Sequence, residues 1–288
     1  MKRIFVCILA IMFCYIAFAE EDWDVPIEAT ELIAGEEYSF DLDGDGENET
    51  VRWESILIGE YDDSRARLTV TTSSGVQAQW ESTMLFGIKS YACDLDNDGR
   101  VELFFTGDEM SDDYITACIR FSEGSLKQIP FANGDRGEWN DIDQEYGYGL
   151  ITGIYENALE LTGSQDILGT YFGFRLFKLQ GDRFAFDDDG LWRFPFNMDD
   201  EDFWEYKGLT LIQEIPVTFT SDEGSFTGTL LPGTHLVVTA TDRQTVVHFM
   251  TYAGQTGFFT ISPDAENWGV LVNGIPEDQV FAFLPYAD

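Results

Sequence analysis

Short runs of alternating apolar and polar residues, cut by turn residues, cover most of the chain after residue 30. Thr50-Val51-Arg52-Trp53 alternates, and Val101-Glu102-Leu103-Phe104-Phe105 is rich in β-formers. Ala66–Thr72 and Tyr114–Phe121 are strand-like and end in turns at Ser73-Ser74-Gly75 and Ser122-Glu123-Gly124. Thr170–Leu179, ending at Gln180-Gly181-Asp182, repeats the pattern. Period-two alternation bounded by Gly, Ser and Asp predicts β-strands joined by tight turns. Toward the C-terminus, Gly233 and Gly254 mark turns, and Asn273-Gly274 between Val270-Leu271-Val272 and Ile275 predicts a hairpin. Pro276-Glu277-Asp278 is suited to open a single helical turn before Gln279–Phe283. The chain therefore reads as all-β.

The first residues read differently. Lys2 and Arg3 precede an apolar run from Ile4 to Phe18, and Ala17-Phe18-Ala19 forms a small-x-small cleavage pattern before Glu20. That is the layout of a secretory signal peptide over residues 1–19. The run falls short of the ~20 residues that span a bilayer. A secreted or extracytoplasmic location is expected, in the periplasm or at the cell surface, with no membrane attachment after cleavage. Cleavage removes Cys7 and Cys14 and leaves Cys93 and Cys118. An even pair in an oxidising compartment predicts a Cys93–Cys118 disulfide.

Charge sharpens this picture. The 288 residues carry 53 Asp and Glu against 16 Lys and Arg, a formal charge of −37. Loss of Lys2 and Arg3 takes this to −39. Nucleic acid and anionic membranes would be repelled, whereas cations are favoured partners. With 44% hydrophobic residues, the chain has ample side chain to bury and is not a disordered acidic tail.

The acids are not evenly spread. Asp41-Leu42-Asp43-Gly44-Asp45-Gly46-Glu47-Asn48-Glu49 and Asp94-Leu95-Asp96-Asn97-Asp98-Gly99-Arg100-Val101-Glu102 both read D-x-D-x-D-G-x-x-E. Calcium takes six to eight oxygen ligands, and carboxylates at alternate positions of a curled loop can converge on one ion. Gly46 and Gly99 permit the tight turn. The seventh residue, Glu47 or Arg100, would offer only its backbone carbonyl, which makes a basic side chain tolerable there. Glu49 and Glu102 would supply the last carboxylate. The helical EF-hand places a bidentate Glu at the twelfth position, where the first loop has Arg52. Each loop is therefore expected to join two strands and to hold a structural calcium ion, two ions in all, with magnesium less suited to so flexible a ligand set.

The loops are 53 residues apart, and the residues beyond them match as well: Tyr61-Asp62-Asp63 corresponds to Ser111-Asp112-Asp113. A third copy lies 58 residues further on. Leu159-Glu160-Leu161-Thr162 matches Val101-Glu102-Leu103-Phe104, but Thr152, Ile154 and Glu156 stand where the second copy has Asp94, Asp96 and Asp98. Asn157 replaces Gly99 and still tolerates a left-handed backbone. This copy is expected to pack as a blade without calcium.

Loops and strands together resemble the FG-GAP or VCBS-type repeats of bacterial secreted proteins, over roughly residues 30–195. The resemblance implies propeller-blade-like units used in adhesion, carbohydrate contact or scaffolding. Three copies are fewer than the four to eight blades of a closed propeller, so an incomplete or open arrangement is implied. Asp199-Asp200-Glu201-Asp202 sits where the repeats end and places a boundary near 205, giving domains 20–205 and 206–288. The latter segment, through Leu231-Pro232-Gly233-Thr234, Val237–Asp242 and Thr256-Gly257-Phe258-Phe259, weakly resembles a bacterial Src-homology-3-like barrel. In that family such barrels bind cell-wall peptides or other protein segments, or support a neighbouring domain.

No catalytic motif accompanies these features. His235 and His248 are the two histidines, and His248 alternates with Val247 and Phe249, which turns it away from them. The expected function is a non-enzymatic, calcium-stabilised binding or scaffold protein that contacts cell-surface glycan or protein. The alternative is a secreted carbohydrate-active hydrolase using a carboxylate pair. Trp80, Trp139 and Trp192 would stack on sugars if exposed, but large aromatics in a β protein more often fill the core. The clusters Asp187-Asp188-Asp189-Gly190 and Asp199–Asp202 lack the alternating spacing and read as solvated turns.

Overall fold

The computed structural model describes residues 26–58, 64–109, 113–131, 146–186, 189–196, 201–265 and 269–287. The leader, Cys7, Cys14, Tyr61-Asp62-Asp63, Ser111-Asp112, Trp139, Asp187-Asp188 and Asp199-Asp200 lie outside them. Among the described residues no helix is long and apolar enough to cross a membrane.

The chain is almost entirely antiparallel β. After a short β1 (Thr30–Glu31), β2 (Glu37–Phe40), β3 (Glu49–Leu57), β4 (Ser64–Thr71) and β5 (Gln77–Glu81) form a four-stranded meander in chain order. A second meander comes next in β6 (Phe86–Cys93), β7 (Glu102–Asp108), β8 (Tyr114–Ser122) and β9 (Ser125–Ile129), with β1 added beside β6 and β10 (Gly147–Tyr148) beside β8. The third is β11 (Leu150–Tyr155), β12 (Ala158–Asp166), β13 (Thr170–Gln180) and β14 (Arg183–Phe186). All three copies seen in the sequence are thus four-stranded units of one design.

They stack face to face. Val51, Trp53, Leu68 and Val70 of the first meander share a core with Leu103, Phe105, Ala117 and Ile119 of the second. The opposite face of the second, through Cys93, Phe104, Cys118 and Ile129, shares another with Leu159, Leu161, Phe177 and Phe184 of the third. The middle sheet is therefore covered on both sides. This explains why Glu102-Leu103-Phe104-Phe105-Thr106-Gly107 is buried without a break, where a sheet wet on one face would alternate. Full burial of Phe104 and Phe105 contributes on the order of 2–3 kcal/mol each.

The rest is β15 (Trp192–Arg193), helix α1 (Glu201–Lys207), β16 (Leu209–Thr210), β17 (Ile215–Ser221), β18 (Gly224–Leu230), β19 (His235–Thr241), β20 (Val246–Thr251), β21 (Thr256–Pro263), β22 (Val270–Val272), β23 (Ile275–Pro276) and helix α2 (Glu277–Val280). Asn273 and Gly274, at φ 49° and 83°, make the β22–β23 hairpin turn, and α2 starts at Glu277 with Pro276 as its N-cap. The expected barrel does not close. The ladder runs β13-β15-β19-β20-β21-β17-β18, so this segment continues the sheet of the third meander, in a sheet of 13 strands. The link is β15: Arg193 pairs with Phe174 on one side and Ala240 on the other. Buried Trp192 sits within the core shared by residues 167–281.

Candidate metal loops

Each aspartate loop enters its meander between the first and second strands, β2–β3 and β6–β7. Their hydrogen bonds repeat at the sequence offset of the repeat itself. Asp41 Oδ2 accepts from the Gly46 N–H at 2.9 Å, and Asp94 Oδ2 from the Gly99 N–H at 2.9 Å. Asp45 Oδ1 accepts from the Glu47 N–H at 2.7 Å, and Asp98 Oδ1 from the Arg100 N–H at 2.9 Å. Glu49 Oε2 accepts from the Leu42 N–H at 3.0 Å, and Glu102 Oε2 from the Leu95 N–H at 2.9 Å. The curl needs left-handed backbone, supplied by Gly46 and Gly99, both at φ 87°. Leu42 and Leu95 plug the loops into the two cores with no exposed surface.

The loops also touch. The Val101 N–H donates to Asp41 O at 3.3 Å, and a Cβ on Gly44 would lie 3.0 Å from Arg100 Cγ. On the other side, the Asn157 N–H donates to Leu95 O at 2.7 Å. All three inter-strand turns therefore gather at one end of the stack. In the third the loop is reduced to the two residues Glu156-Asn157, with Asn157 at φ 59°. Thr152 and Ile154 lie within β11, and Glu160 accepts from the Thr152 hydroxyl at 2.8 Å.

Two carboxylate sets converge. One is Asp41, Asp43 and Asp45, and the other is Asp94, Asp96 and Glu102, each with one oxygen per residue within 4.8 Å of the rest. The remaining sequence candidates stand apart from these sets. Glu49 is buried and bonded to the loop backbone. Glu47 accepts from the Ser73 hydroxyl, and Asp98 Oδ2 is held by Arg100 Nη2 at 2.7 Å. Arg100 thus serves the loop through its side chain as well as its backbone.

Oxygen-only donors suit a hard cation. One atom tests the fit most directly. Asp43 Oδ1 and Asp96 Oδ1 occupy the same position in the two loops, and both are buried without a hydrogen-bond partner. A buried carboxylate oxygen left unsatisfied costs several kcal/mol unless a cation compensates it. Burial, with Asp43, Asp45 and Asp41 adding repulsion against the favourable Leu42 N–H, raises the Glu49 carboxyl above the ordinary carboxylate range. Burial likewise raises Glu102, despite the Leu95 N–H and Arg120. Partial burial pushes Asp98 the same way, but hydrogen bonds from the Arg100 backbone and side chain outweigh it and hold Asp98 low.

Arg120 is the residue that sequence patterns did not single out. It donates to Glu102 Oε1 at 2.7 Å and to Asp96 Oδ2 at 2.8 Å. It sits on β8 one step beyond the Leu103–Ile119 pair, and the same step beyond Thr50–Thr71 in the first meander gives Thr72. A lone charge inside the apolar run Ile115–Phe121 was the available signal.

The expected disulfide is absent. Cys93 and Cys118 are free, buried thiols. Cys93 pairs with Glu102 and Cys118 with Phe104, so the middle strand β7 stands between them. Two strand spacings, about 9–10 Å, exceed the ~7 Å limit for a bridged Cα pair. Of the other clusters, the described part of the first is engaged by arginines: Asp189 Oδ2 lies 2.6 Å from Arg193 Nη2, and Gly190 O accepts from Arg175. Trp192 is core and Trp80 is partly buried, donating to Gln128.

Comparison of the chain with family models, with curated proteins and with solved structures finds no match.

Proposed function

We propose that this is an exported, non-enzymatic scaffold whose stacked β-meanders are locked at one end by calcium, and whose surface contacts glycan or protein at the cell envelope. The observation that carries the calcium reading is the equivalent pair of buried, unpartnered oxygens on Asp43 and Asp96, each inside a converging carboxylate set. Asp41, Asp43 and Asp45 would hold one ion and Asp94, Asp96 and Glu102 the other. A bound cation would offset the repulsion within each set and fix the turn that seats Leu42 or Leu95 in the core. The role is structural, because binding only to the folded chain stabilises it by mass action, about 2.7 kcal/mol at a hundredfold excess over Kd.

The test is calorimetric titration of the chain from Glu20 onward with calcium, paired with thermal unfolding in calcium and in chelator. Heat uptake together with a raised Tm in calcium supports the reading. An unchanged melting curve and no heat would end it. Screening the calcium-loaded protein against glycans and peptidoglycan fragments then tests the envelope contact.

A further inference from the structure

β18 ends the largest sheet, and among the described residues no strand pairs with its far side. Its partner is β17 alone, in the register Ser221–Gly224 to Ile215–Leu230. Pro216 faces Thr229 in that register. Proline has no N–H, so this pair is not hydrogen-bonded, and alternation makes 218–227 and 220–225 the same. The backbone N–H and C=O of Ser225, Thr227 and Thr229 therefore point off the sheet, and all three residues are exposed.

Edges of this kind are normally guarded by charge, proline or a covering element. Several other end strands carry charge, as Glu37 on β2, Glu81 on β5 and Arg183 on β14, while uncharged β11 at the sheet's opposite end lies against the second meander, its Ile151 N–H donating to the Thr106 hydroxyl. Gly224-Ser225-Phe226-Thr227-Gly228-Thr229-Leu230 has neither charge nor proline. On its core face Leu230 is buried, but the face runs off uncovered at Phe226. Phe226 is 59% exposed and stacks on Phe219, ring centroids 5.3 Å apart. Charge flanks the strand instead: Asp222 and Glu223 at the hairpin tip, and Glu214 beside the Leu230 end, all exposed.

We infer that β18 is a strand-addition site for an extended peptide segment of another protein, with basic residues at both ends and alternating polar and apolar residues between. The outward amides of Ser225, Thr227 and Thr229 would pair with its backbone. Apolar side chains on its core face would cover Phe226, and Glu214, Asp222 and Glu223 would meet its basic ends. A second copy of this chain fits worse, because each copy brings a charge of −37.

The probe is the peptide Lys-Lys-Thr-Val-Thr-Val-Thr-Val-Thr-Lys-Lys, titrated into the folded protein. Two further versions are N-methylated, one on the valine amides and one on the inner threonine amides. Only one set of amides can face β18, so one version should lose binding roughly tenfold or more while the other keeps it. Thr227→Pro, which removes an outward N–H that β17 does not use, should weaken the unmodified peptide similarly with the fold retained. Equal binding of both methylated versions would show charge attraction without strand pairing and overturn the site. Dimerisation of the free protein that Thr227→Pro abolishes would assign the edge to a second copy and overturn the choice of partner. β18 belongs to a different sheet from both aspartate loops. Titration in calcium and in chelator therefore separates failure of this site from failure of the calcium reading.

Discussion

Arg120 donates through Nε to Oε1 of Glu102 at 2.7 Å, and that carboxylate has no exposed side-chain surface. The second aspartate loop thus carries a cation of its own. Arg120 is 15% exposed, and removing one partner of a buried pair costs about 3–5 kcal/mol, toward the lower end where water reaches one side. Arg120→Met is expected to destabilise the calcium-free chain by about 3 kcal/mol, read from chemical denaturation in chelator. Calcium should recover more of that stability in the variant than it adds to the parent, because the ion then faces Asp96 and Glu102 without competition. Equal calcium increments in both proteins would remove Arg120 from the site.

The first loop has no such cation. Thr72 stands where Arg120 would be, and no salt bridge reaches Asp41, Asp43, Asp45 or Glu49 among the described residues. The two loops should therefore fill unequally, the first at lower calcium. Asp43→Asn is expected to delete the tighter phase of a calcium titration and Asp96→Asn the weaker one, the first removing more than half of the calcium-dependent rise in Tm and the second less than half. A single phase lost equally in both variants would count against this order.

Legibility in the sequence tracked the range of the interactions. The strands, the Asn273-Gly274 turn and the two loops rest on neighbours within ten residues, and the periodic pattern shows them. The third meander was legible because Leu159–Thr162 kept its strand pattern after the metal residues were gone. What stayed hidden depends on contacts between distant segments. Arg120 meets Glu102 across a strand pair, and only the ladder register brings them together. The cysteine pair misled because even count and compartment say nothing of β7 standing between the two thiols. That no barrel closes was also hidden, because Trp192-Arg193, too short to read as a strand, joins the sheet of the third meander to the C-terminal strands.

Free thiols give a direct check. Burial pushes the Cys93 thiol up to about 12, and burial also raises Cys118 well above the ordinary thiol value, with Glu102 adding to both. Thiolate is the reactive form. The native chain from Glu20 onward should resist iodoacetamide at pH 8, and the denatured, unreduced chain should take up two equivalents. Mass spectrometry that instead finds a Cys93–Cys118 crosslink would require β6 and β8 to approach without β7 between them.

His248 sets a pH dependence that does not involve the loops. It lies on β20 between Ala240 and Phe258 of the neighbouring strands, half-buried against the Phe258 ring. Burial lowers its pKa below the ordinary 6.5, with Arg193 acting in the same direction and Asp189 and Asp242 opposing. The unfolded chain therefore takes up a proton near pH 6.5 that the folded chain refuses. Stability is full above that pH, falls as pH drops through it, and stops falling once the lower folded pKa is passed. The slope for one proton cannot exceed about 1.4 kcal/mol per pH unit. His248→Gln should flatten this part of the curve, measured as denaturation midpoints between about pH 7.5 and 5 in chelator, where calcium and protons do not compete at the carboxylates. An unchanged slope in the variant would mean that His248 takes its proton as readily in the fold as outside it.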